Sequence, residues 1–139
     1  MRVATALRCS AAVLLGGGMA ACGQEGSDAP AGARSAADVV VRVDADGEGA
    51  RPPVMRTVRC RPMDLGPGCR AIRGAPPATW SPVPADRICT QVYGGPERAR
   101  VTGMVGGRRV DAELSRTDGC EIERWQQLAP LLDPLARGG

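Results

Sequence analysis

Two cysteines frame the residues of this chain best suited to chemistry with another protein. Cys89 sits in Ile88-Cys89-Thr90-Gln91-Val92-Tyr93-Gly94-Gly95-Pro96, and Cys120 follows in Thr117-Asp118-Gly119-Cys120-Glu121. The first run reads as an extended, substrate-like peptide. Were Cys89 and Cys120 bonded, it would be pinned at one end, and a rigid loop loses little entropy on binding and does not relax after attack. Such a loop suits a protein that a protease grips without consuming. Other reactive sets are weak. The absence of His removes the commonest general base and the commonest zinc ligand together, and with them Ser-His-Asp and Cys-His nucleophiles. Glu121 and Glu123 could serve as acid and base, but on a strand or turn beside Arg124 they read as solvated charges. Four thiolates could hold a metal, yet no Cys-x-x-Cys pair is present. No metal, no cofactor and no enzymatic activity is expected.

The elements that must position this loop have little to build with. A chain of 139 residues makes one domain plus its termini, and with no Phe, one Tyr and two Trp its core must be Val, Leu, Ile, Ala and Met. Trp80 and Trp125 read as core pieces. Disulfides would help so thin a core. Every basic residue is Arg. With Arg2 and Arg8 assigned to a leader, 16 basic residues face 15 acidic ones, a balance that gives no nucleic-acid signature.

Residues 1–21 read as an export signal, with Arg2 and Arg8 near the start, an apolar stretch from Ala11, and Met19-Ala20-Ala21 before Cys22. The apolar stretch is too short to span a bilayer. Met19-Ala20-Ala21-Cys22 resembles the bacterial lipobox, in which the cysteine is diacylated and the leader is cleaved just before it. Counting supports this reading. Six cysteines less Cys9 in the leader leave five, and lipidating Cys22 leaves four to pair on the oxidising side of a membrane. The expectation is an extracellular lipoprotein held on the cell membrane through Cys22, the alternative being a secreted protein with a free Cys22. Residues 22–37 then form a flexible tether spanning roughly 20 Å. The folded domain is expected over 38–132, followed by a disordered tail at 133–139.

Within that domain the β-branched run at 39–43 reads as a strand ended by Asp44-Ala45-Asp46-Gly47, and 54–60 as a second. A hairpin is clearer: residues 97–104 lead through Gly106-Gly107 into a strand where Val110, Ala112 and Leu114 alternate with Asp111, Glu113 and Ser115. The prolines between Cys69 and Cys89 leave room for one helical turn near 70–73. Trp125, Leu128, Leu131 and Leu132 are spaced for a short helix interrupted by Pro130. The four cysteines fit two local bridges, Cys60 with Cys69 and Cys89 with Cys120, although three connectivities are open to them.

Taken together, residues 38–122 resemble the Streptomyces subtilisin inhibitor family of small secreted serine-protease inhibitors. The match rests on the first strand at 39–43, on Val58-Arg59-Cys60-Arg61-Pro62, on Ile88-Cys89-Thr90-Gln91-Val92-Tyr93, and on the hairpin 101–110 with Cys120 following. The resemblance implies an α+β fold, an antiparallel sheet of about five strands with helix on one side, and disulfides Cys60–Cys69 and Cys89–Cys120. It implies a loop cut slowly at Gln91–Val92, with Gln91 in the specificity pocket of a subtilisin-like or trypsin-like protease, Thr90 before it and Tyr93 beyond the bond. A homodimer through the sheet is compatible with it. The family more often places Met, Lys or Arg where Gln91 stands and Pro where Thr90 stands, and one residue is inserted among Gly94-Gly95-Pro96. The alternative is a surface lipoprotein that uses the scaffold for protein binding or structure without inhibiting.

Overall fold

A computed structural model of the chain describes residues 37–138. The leader, Cys22 and all of the tether but Ala37 lie outside them. The first strand, β1 (Ala37–Asp44), follows directly from its alternation: Val39, Val41 and Val43 are buried, while Asp38, Val40 and Arg42 point to water. It is central, flanked on one side by β2 (Val54–Cys60) and on the other by β3 (Arg98–Val105), which pairs in turn with β4 (Arg108–Ser115). All pairings are antiparallel, in the order β2-β1-β3-β4. Gly106 and Gly107 close the β3–β4 hairpin with φ of 57° and 79°. Positive φ at both central residues matches the twist of a two-residue hairpin and is easiest for glycine.

Helices cover one face of the sheet. They are α1 (Pro67–Gly74), α2 (Gly119–Gln127) and α3 (Ala129–Arg137), with a single 3-10 turn at Pro77–Trp80. Ile72, Trp125, Leu128, Leu131, Leu132 and Leu135 meet Val39, Val41, Val101, Ala112 and Leu114 in one core. The opposite face carries cross-strand ion pairs, notably Arg100 with two bonds of 2.8 and 2.7 Å to Asp111. That guanidinium holds the Asp111 carboxyl below its ordinary range. Because the folded-state value is lowered, the pair's small contribution is present above the usual carboxylate range and is lost as pH falls through the folded value.

The fold class is the expected one: α+β, an antiparallel sheet, helices on one side and two disulfides, Cys60–Cys69 and Cys89–Cys120. Several particulars differ. The sheet has four strands rather than about five, because beyond β4 the apolar spacing is helical and Asp118 caps α2. Glu121 and Glu123 therefore lie on a helix, not on a strand or turn. The helix near 70–73 extends to eight residues, since Pro67 occupies the first turn, where a missing N–H is harmless. The segment expected as a tail from 133 is helical through Arg137, with Leu135 buried. The expected interruption at Pro130 is present: α2 ends at Gln127, Leu128 breaks the helix, and Pro130, which has no N–H to continue the α2 ladder, sits in the first turn of α3.

Candidate functional site

The loop between the 3-10 turn and β3 leaves the sheet at the end where Asp44 pairs with Arg98 and Arg98 with Ser115. Residues 87–95 form no helix or strand. Their larger apolar side chains are outside the core: Ile88 is 97% exposed, Tyr93 64% and Val92 57%, and Gln91 is exposed as well. Three consecutive positions, Gln91, Val92 and Tyr93, thus face solvent. No part of the core has a use for them.

What holds them out is a set of three anchors. Cys89 is bonded to Cys120. The amide of Gly119 donates to the Thr90 carbonyl at 2.9 Å, and the amide of Gly94 donates to the Arg116 carbonyl at 2.7 Å. Two anchors precede the Gln91–Val92 bond and one follows it, and all end on the five-residue segment 116–120, which runs from the end of β4 into the first turn of α2. A Cβ at Gly119 would overlap Thr90 Oγ1, so any larger residue there forces the Thr90 side chain to turn. The Gln91 side chain makes one weak bond, from Nε2 to the Cys89 carbonyl at 3.4 Å.

Segment 116–120 is itself fixed from both sides. Asp118 caps α2, its Oδ1 accepting from the amides of Cys120 at 2.9 Å and Glu121 at 3.0 Å. Arg116 pairs with Glu97 at 3.1 Å and lies over the Trp125 ring, 5.9 Å from its centroid. Trp125 is buried and donates its indole N–H to Asp133 at 2.8 Å. The Gly94 anchor is therefore tied to the core through one arginine. Replacing Asp118 with Ala is expected to lower stability by about 1 kcal/mol, the usual worth of an N-cap. A lower urea midpoint at unchanged slope would register it.

Thr90, Gln91, Val92, Tyr93 and the disulfide are brought together as the sequence suggests. Arg116 and Gly119 escaped that reading because their backbone atoms make the anchors, and backbone donors leave no residue signature. The Asp118-x-x-Glu121 spacing is the available signal, since it marks a helix start within the anchoring segment. The Asp118 carboxylate also groups with the Cys89 and Cys120 sulfurs. Those sulfurs are bonded to each other and the carboxylate caps α2, so the trio is a structural brace. Arg124 is buried, gripping Glu121 at 2.8 Å and the Thr79 carbonyl at 3.2 Å, which fastens the Pro-rich segment to α2. Comparison with known proteins gives no match: no family model, no curated protein and no solved structure matches the chain.

Proposed function

We propose that this chain is a substrate-like inhibitor of extracellular serine proteases, presented on a cell surface by a lipid at Cys22, with Gln91–Val92 as the reactive bond. The observation that carries the reading is the solvent-exposed Gln91-Val92-Tyr93 stretch with both flanks fastened to the one segment 116–120. Residues 88–90 would add a strand to the protease's exposed edge through main-chain hydrogen bonds, and Gln91 would enter the specificity pocket. The pattern that resembles the Streptomyces subtilisin inhibitor family supports the same assignment from the sequence side.

The chemistry follows from the anchors. When a protease serine attacks the Gln91 carbonyl, the peptide bond breaks and Val92 becomes the free amine. In an ordinary substrate that amine diffuses away, and water then cleaves the acyl-enzyme. Here the Gly94–Arg116 bond keeps the amine close, while Cys89 and Thr90 keep the acyl side in place. Proximity of this kind is worth several kcal/mol, enough for religation to compete with hydrolysis.

A second reading, the same scaffold without inhibition, is favoured by one contact. The Gln91 amide folds back on the Cys89 carbonyl, an acceptor that strand addition would need. The bond is long, so little opposes its release. The test uses residues 23–139, which contain every described element of the fold. Dose-dependent inhibition of a subtilisin-like or trypsin-like protease is expected, with one slow nick, at Gln91–Val92, on long incubation. Rapid digestion at several glycine-rich sites without inhibition would overturn the proposal in favour of the second reading.

A further inference from the structure

We infer that the end of the sheet opposite the Gln91 loop is a docking surface for the headgroups of an anionic lipid membrane. Register defines that end. Ala37 pairs with Cys60 on one side and with Val105 on the other, and Val105 pairs with Arg108, so four residues form one terminal row. Just beyond the row lie the loop closed by Cys60–Cys69 and the tip of the β3–β4 hairpin.

The disulfide loop is stiff and points apolar side chains at water. Asp64 N–H donates to the Arg61 carbonyl at 3.1 Å, Gly66 N–H donates to Asp64 Oδ1 at 3.0 Å, and the Arg73 guanidinium bonds the carbonyls of Arg61, Pro62 and Asp64. On this frame Met63 is 85% exposed and Leu65 69%. The same end of the sheet carries an excess of positive charge, with Arg61 in this loop and Arg108 and Arg109 at the hairpin on the far edge. Arg61, Arg108 and Arg109 are exposed and have no ion pair among the described residues; Asp38 is matched by Arg59 at 3.2 Å, while the Asp64 carboxylate accepts only the neutral Gly66 amide and is the opposing charge in the loop. Two held-out apolar side chains and three free cations at one end of the sheet, against the single carboxylate of Asp64 in the loop, fit a surface with anionic headgroups over hydrocarbon.

The path of the chain selects the same occupant. The 36 residues before the described domain enter it at Ala37, inside this row. A lipid on Cys22, fifteen residues earlier, would bring this end closest to the bilayer. Strands of eight residues then set the Gln91 loop about 25 Å away on the far side, open to protease. The orientation rests on the anchoring proposed above, while the headgroup contact does not.

The experiment therefore uses residues 23–139, without Cys22, and vesicles of phosphatidylcholine with or without phosphatidylglycerol, read by co-sedimentation at about millimolar lipid. Binding to the anionic vesicles alone, weakened by salt, is expected. Arg61→Gln/Arg108→Gln/Arg109→Gln should weaken it about 100-fold, roughly fivefold per Arg. Met63→Ser/Leu65→Ser should weaken it by about tenfold or more. Protease inhibition should stay unchanged in both variants, so a failed loop and a failed membrane surface give different results. Absence of wild-type binding, equal binding to neutral vesicles, or undiminished binding by the variants would each overturn the inference, the first leaving a protein partner as the occupant of this end.

Discussion

Replacing Cys89 and Cys120 together with Ser is expected to lower the unfolding free energy by about 3.7 kcal/mol and to turn a slow protease substrate into a fast one. The first figure follows from the 31-residue separation that the bridge closes, through the chain entropy restored to the unfolded state. The second effect is local. Without the bridge, the acyl side of the Gln91–Val92 bond keeps only the Gly119–Thr90 hydrogen bond, so the loop samples many conformations and religation loses its proximity advantage. Denaturant titration measures the stability, and the rate of cleavage by a serine protease measures the loop. Replacing Cys60 and Cys69 with Ser provides the contrast: about 2.7 kcal/mol of stability is expected to be lost, with slow cleavage at Gln91–Val92 retained in molecules that remain folded. Equal acceleration by both pairs of changes would mean that cleavage reports global unfolding rather than loop anchoring.

Substituting Gln91 with Lys is expected to strengthen inhibition of a trypsin-like protease by roughly 100- to 1000-fold, the scale on which a buried charge pair at an interface is decided. Gln91 is exposed and its single side-chain contact is weak, so the change should leave the fold intact. A subtilisin-like enzyme, whose pocket offers no such partner, should respond by far less. Inhibition constants for the two enzymes against wild type and variant decide the matter. If the trypsin-like enzyme did not distinguish them, Gln91 would not be the residue that enters the pocket.

β1 and β4 were legible because each shows its two faces, whereas β2 alternates poorly. Val39, Val41 and Val43 alternate with polar neighbours in β1, and Val110, Ala112 and Leu114 do so in β4. The exposure of the loop could also be anticipated, since Gly94, Gly95 and Pro96 forbid a regular element after Tyr93. The helices were harder. In α2 the sequence has few apolar residues before Trp125, so Glu121 and Glu123 read as part of a strand or turn; the Asp118 cap is the stronger signal. Leu131, Leu132 and Leu135 in α3 continue the spacing from the capping Leu128, but Pro134 disguises it. The burial of Leu135 outweighs the hydrogen bond that Pro134 omits. The loop anchors depend on tertiary placement of backbone groups, which residue types do not encode.

The landing of all three loop anchors on segment 116–120 bears on stoichiometry. A molecule opened at Gln91–Val92 would shed no fragment, because both new ends belong to the same packed unit. It would expose no unfolded stretch to further digestion. If the chain inhibits as proposed, each copy could then meet one protease after another, and inhibition would scale with the number of copies present rather than with their rate of replacement.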